Sequence, residues 1–482
     1  MNINRLSLFE QFSHHRQSLR FLIRLVTISS AILFFFSSLQ LALFRAGNDL
    51  AFFDQFLYLL SRGQTPISTL LEGVHLIGDH GAIILYPLSW LYIIYPSVYW
   101  LLLVQAIALS CGAIPVYALS RSCGLKVSYC RAVAICYVLY PALFNINFYT
   151  EFRPETIAVP ALIWAVLAIK KRKIAQGAIA LVIVLSCKET MSFTVIGLGF
   201  WLLLKRRFIY AFACIITGLS WFLFAAIYLI PTFRGGQQMA GTWHYESLGN
   251  SLPAIALKIV SEPQIFLIRS LAGDRLFYYL LLVLPIIFGL HWRKIAAIIP
   301  ALPMLGLNIL ADFPRQRDLI HQYSLPIIPF LFVWLIASLV YLQQHQLRSW
   351  LTPRRLIIWS IIAFMALGKY GYFWTRYAPL YSNIPSVNGA INLISPNERV
   401  LTSGYVAPHL SHRPQIMLLR PSDNLALVQD NQLDTVLIAF KHLGTSISPQ
   451  TATQFMDELK TVANFKLVYH QQDVFLLKLQ DN

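Results

Sequence analysis

The segment AGNDLAFFDQFLYLLSRG, Ala46 to Gly63, places two carboxylates, Asp49 and Asp54, and the amide Gln55 directly after the first long apolar run. A charge that close to hydrocarbon costs about 2.5–3.5 kcal/mol or more unless it is paired or has a task. Further along come Asp79 and His80 in HLIGDHGAIILYP, then Glu151, Arg153 and Glu155 in NFYTEFRPET. Lys188 and Glu189 follow in LSCKET, and Arg315, Arg317 and His321 in DFPRQRDLIHQY. These residue types move protons and neutralise anions, the chemistry of general acid–base catalysis. Each also has a purely structural use. Glu155 follows Pro154 and suits a first helical turn, where an acid complements the dipole. Lys188 and Glu189 could close a hairpin as a satisfied pair. His80 alone would be a solvated loop residue, but its neighbour Asp79 favours a functional imidazole. Asp, His and Glu also bind divalent metals; no fixed ligand spacing accompanies them, so a divalent metal is allowed and no cofactor is assigned.

The elements that must position these groups are membrane helices. Of 482 residues, 57% are hydrophobic and 12% charged, and the mean hydropathy is +0.59, far too apolar for a soluble domain. The net charge of +17 does not mean nucleic acid. It gathers between apolar runs, at Lys170 to Lys173, Lys205 to Arg207, and Arg348, Arg354 and Arg355, as cytoplasmic loops do under the positive-inside rule. No basic patch interleaved with aromatics is present. The six cysteines lie in or beside apolar runs without CxxC spacing, so they read as small buried hydrophobes.

Loop charge predicts the threading. Residues 1–23 form a cytoplasmic segment with Arg5, Arg16 and Arg20, and Phe21 to Phe44 reads as an uncleaved signal anchor. A polytopic domain over 24–375 follows, with outer loops at 45–98, 147–156, 231–275 and 312–323. Ala82 to Tyr95 is expected to lie re-entrant or along the interface, because a single crossing at Tyr99 to Leu119 must reach the next basic loop. Two short spans flank the Lys188–Glu189 turn. About eleven crossings of roughly 15 to 20 residues result. Every candidate residue above then falls on the outer side. Arg234, Arg269, Arg275, Arg315, Arg317 and Arg376 stand there too, where positive charge should be scarce. Guanidinium binds phosphate bidentately, and in the short loop of Arg315 and Arg317 a tolerant long loop is a weak explanation.

The tail, 376–482, changes character. RVLTSG, QIMLLR and TVLIAF are strand-like, Gln450 to Val462 is helical, and FKLVYHQQDVFLLKL reads as a closing hairpin. The expectation is a small extracytoplasmic α/β domain.

The series NDLAFFDQFLYLLSRG, DHGAIILYPLSWLYIIYP, YPALFNINFYTEFRPETIAVP, LSCKET and HQYSLPIIPFLF resembles a family of uncharacterised prokaryotic membrane proteins, domain of unknown function twenty seventy-nine. The resemblance runs from about Arg45 to Phe332 and reaches the tail at APHLSHRP. It implies that Asp49, Asp54, Gln55, His80, Glu155, Lys188 and Glu189 are motif positions. Ala51 replaces the family's usual Gly, and Arg153 stands where an imidazole is usual. That architecture is in turn similar to the GT-C glycosyltransferases, which use polyprenyl-phosphate sugars and carry an acid just after the first span. The resemblance implies a multi-pass plasma-membrane (inner-membrane) protein whose partners are membrane lipids, a polyprenyl-phosphate sugar donor and an envelope acceptor. Asp49 corresponds best to the catalytic base, with Asp54 and His80 behind it. Gln55, Glu155, Lys188, Glu189, Arg315, Arg317 and His321 would bind substrate. A transporter or flippase, or a non-enzymatic assembly protein, is the competing class: intramembrane carboxylates suit carriers, although no repeated halves are visible.

Topology is directly testable. The 170–173 and 205–207 clusters should be cytoplasmic and the tail after Phe373 outside, so Tyr405→Cys should react with impermeant maleimide from the outer side. Reaction only from the cytoplasmic side would overturn the threading and the shared location of the candidate residues.

Overall fold

The computed structural model describes residues 8–149, 151–237, 239, 241–420, 428, 430–444, 447–462 and 465–480. The first seven residues of the expected cytoplasmic segment lie outside these. Among the described residues six helices are long and apolar enough to cross a membrane, or seven if a pair bent by 64° is one span.

Helix α1, Leu8–Ala42, runs from Arg16, Arg20 and Arg24 to the start of α2, Asn48–Ser61. A two-residue antiparallel bridge, β1 (Ile67–Ser68) to β2 (Val74–His75), leads into the single turn α3, Leu76–His80. Helix α4, Leu85–Ile94, is ten residues long, about 15 Å, and too short to cross hydrocarbon. The spans α5–α6 (Tyr99–Cys111, Ala113–Ser122) and α7–α8 (Val127–Val138, Pro141–Tyr149) follow. Pro141 breaks the second, because it lacks the N–H that would continue the ladder. The expected span at Ala132 to Ile146 is therefore longer and jointed.

Helix α9, Glu155–Lys170, is buried over most of its surface, with Ile157, Pro160 and Trp164 along its one less covered face. The hairpin α10 (Ile174–Cys187) and α11 (Met191–Leu204) packs beside it. Each arm has fourteen residues, about 21 Å, against an apolar slab of about 30 Å. The turn with Lys188 and Glu189 is thus recessed rather than projecting. Helix α12 (Phe208–Leu223) continues through a π-helical turn at Phe224–Leu229 into α13 (Ile230–Phe233).

The expected polar loop at 231–275 differs: it contains two short apolar helices, α14 (Leu252–Ser261) and α15 (Gln264–Ser270). Leu257, Val260, Leu267 and Ile268 are exposed on them, so its Arg and Glu residues concealed an apolar strip. Helix α16 (Gly273–Val283) is followed by α17 (Leu302–Leu310), α18 (Ile328–Gln344) and α19 (Pro353–Leu367). Because α9, α11 and α18 run from the candidate residues toward basic loops and α1, α10 and α12 run back, the two groups occupy opposite ends of the bundle.

The tail opens with α20 (Ile384–Ile391) and contains strands β3 (Val400–Thr402), β4 (Ile416–Leu418) and β5 (Thr435–Ala439), helix α21 (Pro449–Val462), then β6 (Phe465–Gln471) and β7 (Val474–Leu479). The order is β4-β3-β5-β7-β6, parallel over the first three strands and antiparallel at the β7 pairings. Alternation sorts its faces. Leu401, Val436 and Ile438 pack with Phe455 and Leu459 of α21, whereas Val400, Leu437 and Ala439 share a core with Leu50, Phe53 and Leu57 of α2.

This shared core corrects two sequence expectations. Asp54 and Gln55 are fully buried and face the tail, not a ligand cavity. Asp54 accepts hydrogen bonds from Tyr92 Oη at 2.5 Å and from Ser411 Oγ, and its Oδ2 lies 2.9 Å from His412 Nε2. Gln55 Nε2 donates to the carbonyls of Arg413 (3.1 Å) and Pro414 (3.3 Å), and Oε1 accepts from Ser68 Oγ. Five positions separate Asp49 from Asp54, which turns them about 140° apart on one helix.

The Asp54–His412 pair makes tail docking pH-dependent. Burial lowers the imidazole's pKa and Arg62 opposes its charge, but Asp54 outweighs both and the net shift is upward from 6.5. The stabilisation is therefore complete below the unfolded value and fades as pH rises through the raised folded value. Thermal unfolding in detergent should show this loss as pH rises above 6.5, and Asp54→Asn should flatten it while lowering stability throughout.

Candidate functional site

Four charged groups form the floor of a cavity of about 490 Å³ at the tail end of the bundle. Asp49, in the first turn of α2, is ion-paired with the Arg153 guanidinium, which also reaches Glu151 Oε2 at 3.3 Å. Arg153 is held from behind, since its backbone N–H donates to Gln105 Oε1 at 2.9 Å. Glu155, at the start of α9, meets Lys188 Nζ at 3.0 Å. Burial works against the charges of Arg153 and Lys188, but Asp49, Glu151 and Glu155 more than compensate and hold both protonated. Glu189 is different. It is 2% exposed, its Oε2 has no hydrogen-bond partner, and burial pushes its carboxyl up to about 7.

The lining mixes two chemistries. Phe193, Met239, Leu252, Ile255, Ile259 and Leu307 are its apolar members. It also carries Trp243, His244, Phe313, Arg315 and Tyr323. His244 stacks on Phe313 with centroids 5.0 Å apart, and the Arg315 guanidinium lies 5.5 Å over the same ring. Arg315 is exposed and makes no ion pair among the described residues. The loop carrying it is tied down where the Asp312 amide donates to the His244 carbonyl at 2.7 Å.

His80 enters from α3. Its Nε2 lies 3.4 Å from Asp79 Oδ2, and its Nδ1 is buried without a hydrogen-bond partner. Asp79 is buried and backs the ring from outside the lining. Burial raises the Asp79 carboxyl to about 6 and, with the nearby cations, holds His80 well below 6.5.

The structure therefore brings Asp49, His80, Glu155, Lys188, Glu189, Arg315 and His321 to one cavity. Arg317 is not among the lining residues: it pairs with Asp274 at 3.0 Å and donates to the carbonyls of Asn308 and Ala311. Its Nε and Nη1 hold α16 to α17. The residue that sequence reasoning undervalued is Arg153, set aside because it replaces an imidazole. Its signal was position, an arginine between Glu151 and Glu155. The aromatic run Trp243 to Tyr245 also escaped notice inside a loop read as polar. Among the described residues no group of three or more His, Cys, Asp or Glu side chains is arranged to hold a metal ion.

Helices around a cavity of mixed charged and apolar lining, with a small sheet domain packed against α2, define a class of membrane protein that comparison with known proteins makes specific. Residues 39–476 match the model of a family of predicted membrane proteins, DUF2079, and the chain belongs to that family. The match takes in the tail as well as the motifs. No curated protein matches the chain. Among solved structures, ArnT from Cupriavidus metallidurans bound to undecaprenyl phosphate is similar with a TM-score of 0.56 at 9% identity, covering 94% of this chain and 97% of that one. The same protein in its apo state gives 0.52 at 11%, with the same coverage. At such identity the likeness shows the fold alone.

The floor makes a stability prediction. Lys188→Ala strands Glu155 as a buried unpaired charge and should cost about 3–5 kcal/mol. The double variant with Glu155→Ala should recover much of that loss, because neither charge is then left uncompensated. Thermal unfolding of the four proteins in one detergent measures the coupling.

Proposed function

We propose that this chain is a membrane glycosyltransferase of GT-C type, moving a sugar from a polyprenyl-phosphate donor to an acceptor of the cell envelope. The observation that carries the reading is a single cavity lined by ion-paired acids and bases, by Arg315 without an ion pair among the described residues, and by apolar side chains. An amphiphile with an anionic head and a hydrocarbon tail matches that mixture. The undecaprenyl phosphate held by the Cupriavidus protein of the same fold supports it. Arg315, with Lys188 and Arg153, would neutralise the departing lipid phosphate, and a neighbouring group would take the acceptor's proton.

The reading carries a topology. Among the described residues six helices, or seven with the bent pair, are long and apolar enough to cross; the reading adds α9, α10, α11 and α18 as shorter crossings, about eleven in all. Basic loops then face the cytoplasm of a plasma-membrane (inner-membrane) protein, and cavity and tail lie outside. A transporter or flippase could use the same buried charges, so the test must separate cleavage from movement.

Purified protein in liposomes, offered a panel of polyprenyl-phosphate sugars, should consume a donor and release the lipid phosphate. Arg315→Ala should weaken donor binding about tenfold or more, the value of a charge-assisted hydrogen bond. Arg317→Ala should lower stability and leave donor affinity unchanged. Label crossing the bilayer with its sugar–phosphate bond intact would replace the transferase reading with the transporter one.

A further inference from the structure

We propose that the basic end of the bundle carries a second, separate site: a cleft between α1 and α7 that binds an anionic phospholipid of the adjoining leaflet by its phosphate. Under the threading above that leaflet is the cytoplasmic one. The inference stands apart from the transferase reading and goes beyond it.

The cleft has a volume of about 550 Å³, and Arg20, Arg24 and Arg131 line it together with Phe21, Ile28 and Ile135. No carboxylate is among its lining residues. None of the three arginines makes an ion pair among the described residues. The outer cavity is the opposite case, since acids already hold Arg153 and Lys188 there. Like charges gathered around one cleft repel until an anion joins them. Guanidinium suits phosphate best, because its planar fork donates to two oxygens at once.

Depth selects a lipid over a soluble anion. The helical rise puts Arg24 about 27 Å from Ala42 at the cavity end of α1, and Arg131 about 27 Å from Tyr149 at the cavity end of α8. Those two ends are in register, because Gln40 Nε2 donates to the Tyr149 carbonyl at 3.1 Å. Both arginines therefore stand near the far face of an apolar slab of about 30 Å. Arg20 lies one turn further out, at headgroup level. Ile28 and Ile135 each lie one turn deeper than an arginine and carry the cleft into hydrocarbon. Charge at the phosphate level with apolar side chains below it is the profile of a phospholipid.

The wall behind the cleft is fixed by side chains. Tyr117 Oη of α6 donates to Ser18 Oγ at 2.8 Å, and its ring meets Phe21 with centroids 6.4 Å apart. The Ser29 and Ser110 hydroxyls join α1 to α5 at 2.9 Å. The Arg131 guanidinium lies 5.5 Å over the Phe21 ring, a contact that orients the cation and leaves its charge uncompensated. The positive-inside rule asks only for charge in loops, and Lys170 to Lys173 meet it, exposed on a turn. Arg24 and Arg131 instead stand within spans, where a cation is costly without an anion to meet it.

The test offers the full chain, in neutral detergent, equimolar phosphatidylglycerol and phosphatidylcholine and reads retained lipid by native mass spectrometry. The wild type should keep phosphatidylglycerol in excess. Arg24→Gln should cut that preference about fivefold, the share of one arginine at a membrane surface. Adding Arg131→Gln should bring the loss to about twentyfold. Lys171→Gln with Arg172→Gln removes as much charge from the exposed turn and should leave the preference unchanged. Glycerol phosphate, a phosphate headgroup without chains, should not displace the lipid at millimolar concentration. Thermal unfolding without added lipid separates a lost site from a lost fold. Arg24 is exposed, so its single variant keeps the test decisive if the double one unfolds. Equal retention of both lipids by the wild type, an unchanged preference in Arg24→Gln, an equal loss in the Lys171 and Arg172 control, or displacement by glycerol phosphate would overturn the proposal and leave the transferase reading standing.

Discussion

The cost of keeping charge at the edge of an apolar bundle governs this molecule. Arg153 with Asp49 and Lys188 with Glu155 are two ion pairs in an environment where a lone ion is penalised by several kcal/mol. Each pair joins segments far apart in the chain: α2 to the turn before α9, and the start of α9 to the α10–α11 turn. Satisfying both charges fixes how three parts of the bundle meet. Both pairs line the cavity, so its charged part follows from the same constraint.

Recession of the floor is a matter of length. Arms of fourteen residues stop short of the slab's face, so Lys188 and Glu189 end inside a recess. The Glu189 carboxyl, whose Oε2 is buried without a hydrogen-bond partner, is pushed up by burial to about 7, whereas a projecting turn would have left it solvated. The aromatic side is positioned from outside the bundle, by backbone ties between the 241–245 and 312–317 segments. Rigid spans thus supply the charged floor and tethered loops supply the rim, a division usual in sites placed on scaffolds.

The first-loop motif serves two ends at once. Asp49 faces the cavity, while Asp54 and Gln55, farther along the same helix, face the tail. One helix therefore couples tail docking to the position of the Asp49–Arg153 pair. The tail's segment at 407–414 supplies the other half: the His409 ring lies tilted against Phe44 with centroids 4.2 Å apart, and Ser411 and His412 meet Asp54. Acids that share a motif need not share a task.

The sequence by itself determined the membrane class, the order of helices, the strands, helix and hairpin of the tail, and the motif residues, because each is written in hydropathy, period or spacing. Loop charge also put Asp49, His80, Glu155, Lys188 and Arg315 on one side, and they do meet in one cavity. Tertiary structure decided which of them are free. Whether Asp49 is an open base or a clamped counter-ion depends on Arg153 a hundred residues away, and whether Arg317 binds a ligand depends on Asp274 reaching it first. Asp54 looked like its neighbour Asp49 because sequence carries type and spacing, but not which way round a helix a side chain is met by a partner. Charge pairing is a long-range, three-dimensional choice, made only when distant segments compete to satisfy the same buried ion.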